Sequence, residues 1–199
     1  MKRLIFLLAA GCLSLQLHAT IKVQLGAGLD LNGKQTFSNS ALGEDGDVNT
    51  GVSLYGELLS SSKLVIGDMM YGIGMEYQLP REMKNLSPTQ HSRQFAFLPI
   101  YATLKYSILP LTISPEVIVQ GGYNFLVNEK NFEFDTTHAL TANGGFYWAA
   151  GAGVNFKPFV VQIMYKSNQS SFKWSDVNLG ELHSNNVNSQ LSLQLGVRL

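Results

Sequence analysis

Nine charged residues on the polar faces of amphipathic segments are the residues of this sequence best placed to do chemistry. They are Lys22, Asp30, Glu57, Asp68, Glu76, Lys105, Glu116, Lys166 and Arg198. Four are basic and five are acidic, so inside a fold they can neutralise one another, as buried charges require. Catalytic carboxylate pairs need a defined geometry, and the sequence contains no such spacing, phosphate-binding loop or dinucleotide motif. The pattern favours ion pairing over acid–base catalysis.

Two other groups of residues bear on catalysis and metal binding. The stretch 165–168 resembles the His-x-Ser-Asn segment of lipid A deacylases, but it contains no His, and Lys166 directly precedes Ser167. A serine nucleophile needs that His as its base. His91, His138 and His183 fall in three separate predicted loops, where solvated histidines are more common than a shared metal site. The sequence therefore predicts no enzyme activity, no metal site and no cofactor.

Apolar and polar residues alternate along the sequence, and this alternation places the charged residues on one face of each predicted strand. In 21–31 every odd position is apolar, and the even positions are Lys, Gln, Gly or Asp. Such alternation indicates a strand with one apolar face. The same pattern predicts an all-β chain of eight strands, at 21–31, 50–59, 64–79, 95–108, 116–127, 146–156, 159–167 and 187–199.

The connections between these strands alternate in length. Long polar segments are predicted at 32–49, 80–94, 128–141 and 168–186, and short turns at 60–63, 109–112 and 157–158. Outer-membrane barrels have an even strand count, short periplasmic turns and longer outer loops. A closed antiparallel up-and-down barrel, with the last strand paired to the first, also leaves no open edge.

The two faces of the strands distinguish a membrane barrel from a soluble lipocalin-like one. Glycines are frequent on the polar face, as at Gly26, Gly74 and Gly196, and small residues suit the crowded interior of an eight-stranded barrel. A water-facing surface would carry more Lys and Glu. Aromatic residues near strand ends on the apolar face predict an interfacial girdle: Tyr77, Tyr106, Phe125, Phe146, Trp148, Phe159 and Tyr165. The membrane barrel is favoured.

The first nineteen residues have the features of a secretory signal peptide. Lys2 and Arg3 precede a mostly apolar run, and Ala19 offers a small residue for cleavage. We therefore expect a cleaved signal at 1–19 and one barrel domain at 20–199. Cys12, the only cysteine, would leave with the signal, so no disulfide or thiol chemistry is expected. Lipidation of Cys12 is the alternative.

The amino-acid composition is consistent with an integral membrane protein. Charged residues make up 14% of the sequence, below the fraction usual in soluble domains. Without Lys2 and Arg3, 12 basic residues face 14 acidic ones, so nothing suggests the basic face that nucleic acid requires. No run after the signal approaches the roughly 20 apolar residues of a membrane helix.

The glycine-rich strand at 148–154 and the alternating terminal strand complete a pattern that covers nearly all of 20–199. In this pattern the chain resembles small bacterial outer-membrane β-barrels of the opacity, OmpA-transmembrane-domain and OmpX/OmpW-like type. Their terminal strand, usually ending on Phe or Trp rather than on Leu199, is the signal that the barrel-assembly machinery reads. The resemblance implies a monomer in the lipid bilayer of a Gram-negative outer membrane. It also implies a structural role, or a surface-interaction role through outer loops that bind a surface ligand.

Three alternatives to this function remain open from the sequence. They are a narrow porin-like pore for small solutes, a lipid-modifying outer-membrane enzyme and a soluble periplasmic lipocalin-like binder. An eight-stranded interior is just wide enough for its own side chains. We therefore expect the nine interior charges to form a polar plug rather than to line a conducting channel.

Overall fold

The computed structural model describes residues 20–39, 45–64, 66–81, 84, 94–108, 113–130, 138–176 and 180–199. The predicted signal peptide, Cys12 and His91 lie outside these residues. The strands are β1 Thr20–Phe37, β2 Gly46–Val48, β3 Gly51–Lys63, β4 Asp68–Gln78, β5 Gln94–Ser107, β6 Ser114–Lys130, β7 His138–Phe156, β8 Phe159–Asp176 and β9 Gly180–Arg198.

Eight of these strands close into one antiparallel barrel. Each of β3 to β9 pairs with its neighbours in chain order, and β1 pairs with both β3 and β9. At the seam, the Val23 N–H donates to the Leu199 carbonyl at 3.0 Å, and the Leu199 N–H donates to the Val23 carbonyl at 2.8 Å. The short β2 adds to β1 at Gly33–Gln35, outside this circuit. The predicted eight-stranded barrel, closed by its last strand, is confirmed.

The barrel has its apolar residues outside and its polar residues inside. Leu25, Ile73 and Ile163 on the outer face are 57%, 63% and 54% exposed. Gln24 and Gln162, which face the lumen from two of the same strands, are 0% and 1% exposed. A water-soluble domain buries its large apolar side chains and exposes its charges, so this distribution is inverted.

The two ends of the barrel differ. At the short-turn end, β3 is joined to β4 across 64–67, β5 to β6 across 108–113, and β7 to β8 by Lys157 and Pro158. Gly67 adopts a φ of 79° in the first of these turns, a left-handed conformation that glycine reaches without steric cost. The opposite end, called the long-hairpin end, carries the connections that follow β1, β4, β6 and β8.

The structure corrects the predicted long segments at 32–49 and 168–186. β8 runs on to Asp176 and β9 begins at Gly180, with continuous pairing from Asn168–Asn188 to Asp176–Gly180. The outward positions of this stretch, such as Gln169 and Asn185, are polar, while Phe172 is buried on the lumen side, so the apolar outer face that marks the other strands is absent here. β1 continues to Phe37 past an irregularity between Leu31 and Lys34, where Asn32 has a φ of 49°. The irregularity exchanges the inward and outward positions, which breaks the period of two.

No helix in the described ranges, whose gaps are given above, has the length and hydropathy needed to cross a membrane.

Candidate functional site in the barrel lumen

A first group of charges lies inside the barrel toward the short-turn end. We call Glu57, Lys105, Glu116 and Arg198 the lower cluster. Arg198 binds Glu116 with both terminal nitrogens, Nη1 to Oε1 at 2.5 Å and Nη2 to Oε2 at 2.9 Å. Lys105 Nζ lies 2.5 Å from Glu57 Oε2. Both pairs are buried, and their formal charges cancel.

Gln24 joins the two pairs of the lower cluster. Its Oε1 accepts hydrogen bonds from Lys105 Nζ at 3.1 Å and from Arg198 Nε at 2.9 Å. Gln120 Nε2 donates to Glu57 Oε1 at 3.1 Å, and Gln120 Oε1 accepts from the Tyr147 hydroxyl at 2.9 Å. The connected side chains come from six barrel strands, so the network crosses the lumen rather than following the wall.

Tyrosine rings fill the space beside this network, and glycines make room for them. The Tyr101 and Tyr147 ring centroids lie 5.4 Å apart. A Cβ at Gly74 would lie 2.6 Å from the Tyr101 ring, and a Cβ at Gly26 would lie 2.5 Å from the Tyr55 ring. Real Cβ atoms do not approach other atoms so closely, so the polar-face glycines allow the wall to contact the rings.

A second group of charges, the upper cluster, lies closer to the long-hairpin end. It comprises Asp30, Glu76, Lys166 and Arg81. Lys166 Nζ lies 3.3 Å from Asp30 Oδ1 and 2.5 Å from Glu76 Oε1, so one ammonium joins β8 to β1 and β4. Arg81 Nη2 donates to Gln190 Oε1 on β9. With Arg81 included, two positive charges balance two negative charges.

Arg81 was absent from the nine predicted interior charges. It follows β4 in a segment that the sequence predicts as a polar loop, so no alternation marks it. Burial lowers the pKa of the Arg81 guanidinium, and the negative charges of Asp30 and Glu76 act in the opposite direction. The predicted set held five acidic and four basic residues, and this imbalance was the one sequence signal that a further cation was needed.

Of the nine predicted residues, seven are buried in the lumen: Asp30, Glu57, Glu76, Lys105, Glu116, Lys166 and Arg198. Lys22 and Asp68 are partly exposed at the short-turn end. Neither side chain forms an ion pair with another described residue.

Amide side chains and an apolar group fill the lumen above the upper cluster. Gln78 Oε1 accepts from Asn168 Nδ2 at 3.0 Å and from Gln190 Nε2 at 3.2 Å. Beyond these amides, Phe97 and Phe172 are buried against each other, with Phe37 and Leu126 packed beside them. The lumen is therefore filled in layers, and the charges occupy the middle and lower ones.

The seven predicted girdle aromatics all lie on the outer face. Tyr106 and Phe159 lie toward the short-turn end, and the Tyr106 hydroxyl donates to the Ile66 carbonyl at 2.8 Å. The other five lie toward the long-hairpin end. There the Trp148 and Tyr165 ring centroids are 5.6 Å apart. Tyr77, Phe125, Phe146, Trp148 and Tyr165 thus lie toward the long-hairpin end, and Tyr106 and Phe159 toward the short-turn end.

Lys166 and Asn168 of the 165–168 stretch are held by partners inside the barrel. Lys166 binds carboxylates and Asn168 binds Gln78, so neither is placed as the base or orienting group of a serine nucleophile. Among the described residues no three His, Cys, Asp or Glu side chains are grouped to hold a metal ion. The His138 side chain lies outside that description.

Comparisons with known proteins bear on the fold. No family model and no curated protein sequence matches the chain. The crystal structure of the outer membrane protein OprG from Pseudomonas aeruginosa matches with a TM-score of 0.61 and 10% identity, over 91% of this chain and 96% of OprG. The P. putida toluene transporter TodX matches with a TM-score of only 0.26 and 12% identity, over 88% of this chain and 57% of TodX. The chain therefore shares its barrel fold with a solved outer-membrane protein.

Proposed function

We propose that this chain is a monomeric integral β-barrel protein of the bacterial outer membrane, closed in its lumen by its own side chains. Its role is structural, or lies in surface interaction through the hairpins at its long-hairpin end. The observation that carries this proposal is the inverted barrel, with large apolar residues exposed around the outer wall and charges buried within.

A lipid environment explains the outer wall. Exposed apolar side chains recur at every second position of the barrel strands, from Ile21 to Leu29 on β1 and from Leu191 to Leu195 on β9. In water such a surface would drive association. In a bilayer it is the favoured arrangement, because a closed barrel satisfies all backbone hydrogen bonds within the wall. We expect the seven outer-face aromatics to lie near the two membrane interfaces.

The two charge clusters support a closed lumen. Each joins strands on different sides of the barrel, and each is neutral, so neither offers a free charge to a passing ion. Moving an ion through would require several ion pairs and hydrogen bonds to break together. Truncating one partner of a buried pair costs about 3–5 kcal/mol, which makes spontaneous opening rare.

The paired strands above the apolar wall support a surface role. Beyond Tyr165 and Leu191 the outer faces of β8 and β9 turn polar, as at Gln169, Ser171 and Asn185. Eleven residues of β8, from Lys166 to Asp176, extend past Tyr165, which corresponds to roughly 36 Å of strand. A rigid polar hairpin of this kind presents a stable surface to a partner.

Export and assembly follow from the expectations drawn from the sequence. The signal at 1–19 would direct secretion, and the alternating β9 would be read by the barrel-assembly machinery. We assign no catalytic role, because Lys166 is held by Asp30 and Glu76 rather than placed beside a nucleophile.

Refolding of the chain without residues 1–19 tests this proposal. We expect a β-rich species that forms only with detergent or lipid vesicles, and that migrates differently on a gel when unboiled than when boiled. Circular dichroism measures the β content in parallel. A monodisperse β-rich protein that folds in plain buffer would overturn the membrane assignment and favour the lipocalin-like alternative.

Planar-bilayer recording of the refolded protein tests the closed lumen separately. We expect no steady conductance from the wild-type barrel. A stable open level in every insertion would replace the plug with the narrow-pore alternative and leave the membrane assignment intact.

A further inference from the structure

We propose that the upper lumen is a binding site for a guanidinium cation, and that Arg81 occupies this site as a ligand tethered to the chain. The site would accept small organic cations that carry a free guanidinium group when the Arg81 side chain withdraws. This inference rests on the proposed closed lumen, because Arg81 is part of what closes it.

Arg81 enters the barrel from outside the strands. β4 ends at Gln78, and the Leu79 N–H still donates to the Val52 carbonyl at 3.0 Å. The Arg81 side chain then lies against the inner side of Gly51 and reaches Gln190 on β9. A Cβ at Gly51 would lie 2.1 Å from Arg81 Cδ, and its three nearest atoms all belong to Arg81. Because Gly51 has no side chain, the Arg81 side chain can occupy the space beside it.

The floor of the site has buried carboxylate oxygens that lack a hydrogen-bond partner in the described part of the chain. Lys166 binds one oxygen of Asp30 and one of Glu76. Within the described residues, Asp30 Oδ2 and Glu76 Oε2 are buried without a hydrogen-bond partner, as is Arg81 Nη1. Both carboxylates are at most 1% exposed. An arginine guanidinium has five N–H donors in a planar fork, and Arg81 donates through Nη2 to the Gln190 amide oxygen. Because its Nη1 has no partner among the described residues, the two carboxylate oxygens remain open to an untethered guanidinium.

The upper cluster becomes negatively charged when Arg81 leaves. With Arg81 present, the upper cluster is neutral. Without it, Asp30 and Glu76 face Lys166 alone and one negative charge remains uncompensated. A buried uncompensated charge is unfavourable by several kcal/mol, so the vacated site should attract a cation from solution.

The shape and the fixed charges of the site favour guanidinium over a metal ion. Lys166 already lies between the two carboxylates and would repel a divalent ion. Planar, bidentate recognition is the property that separates guanidinium from an ammonium group. The occupant seen in the structure has this same chemistry.

Chemical rescue of Arg81→Ala tests the site. The probe is guanidinium chloride at about 1–20 mM, far below the molar concentrations that denature proteins, with NaCl holding the ionic strength constant. We expect a lower thermal midpoint for R81A in detergent. We also expect a saturable recovery of roughly 3–6 °C at ten times the dissociation constant. Tetramethylammonium chloride, a cation without N–H donors, should give no recovery.

Matched variants separate the site from a general salt effect. Lys84→Ala removes one exposed positive charge from the same connection and should respond to guanidinium as the wild type does. Adding Glu76→Gln to R81A should abolish the recovery. A guanidinium response that is equal in R81A and K84A, or that survives E76Q, would overturn the proposal.

Gly51→Ala keeps the test decisive even when R81A does not fold. Its new Cβ displaces the Arg81 side chain while retaining the charge, so G51A should gain a guanidinium response that the wild type lacks. Absence of that response in G51A would also overturn the proposal. Heat-modifiable migration of each variant reports the barrel independently, so failure of the site and failure of the membrane assignment give different results.

Discussion

At the scale of single residues, buried ion pairs hold the lumen together. Arg198 and Glu116 share two hydrogen bonds at 2.5 and 2.9 Å. Glu116→Ala would leave the Arg198 guanidinium buried without its counter-ion, which costs about 3–5 kcal/mol. Urea unfolding from lipid vesicles measures this loss. Asp68→Ala, at the partly exposed rim, is the matched control and should change the free energy of unfolding little. Equal effects of the two substitutions would contradict the assignment of Glu116 to a buried pair.

Close packing of the wall against interior rings gives a second prediction at this scale. A Cβ added at Gly26 would lie 2.5 Å from the Leu195 carbonyl oxygen and from the Tyr55 ring. Overpacking of this kind destabilises by about 1–3 kcal/mol, so we expect Gly26→Ala to unfold at lower urea concentration. A Cβ at Gly121 would have nothing within 4 Å, and Gly121→Ala should be nearly neutral. Equal urea midpoints for Gly26→Ala and Gly121→Ala would contradict the close packing of Gly26 against the Tyr55 ring.

At the scale of the strand, the position of a side chain in the bilayer decides the effect of a charge. Leu25 lies near the middle of the apolar stretch of β1, and Ile21 lies at its end. Arginine on the lipid face destabilises by about 2–4 kcal/mol at the midplane and about 0–1 near an interface. We therefore expect Leu25→Arg to lower the free energy of unfolding in vesicles far more than Ile21→Arg.

The same pair of variants distinguishes lipid from water. Leu25 and Ile21 are 57% and 77% exposed, so in a soluble barrel both arginines would face solvent and both would be nearly neutral. Two small, equal effects would therefore argue against a lipid-facing β1.

At the scale of the whole molecule, the proposed membrane assignment puts the two ends of the barrel on opposite sides of the bilayer. Lys157 lies in the turn between β7 and β8, and Asn185 lies on the exposed face of the β8–β9 hairpin. We expect a membrane-impermeant maleimide to label Asn185→Cys in intact cells and to label Lys157→Cys only after the outer membrane is permeabilised. The parent chain is the control for background labelling. The reverse pattern would invert the proposed orientation.

The sequence by itself determined the barrel and its two faces. Alternation depends only on neighbouring residues, and a strand repeats every two positions. The pattern in 21–31 and 191–199 therefore gave the strands, their outer faces and the closure between β1 and β9. The same parity predicted that Glu57, Lys105 and Glu116 share one interior.

Tertiary structure alone decided how that interior is joined and where the wall ends. Asn32 interrupts the period of two, and the outward positions of 168–176 are polar, so neither extension carries the alternation that marks a strand; their pairing with β9 is seen only in the folded barrel. The choice of Glu116 for Arg198, and of two carboxylates for Lys166, depends on distances across the lumen. Arg81 entered the upper cluster because Gly51 leaves space for it, a contact between two segments that no local pattern records.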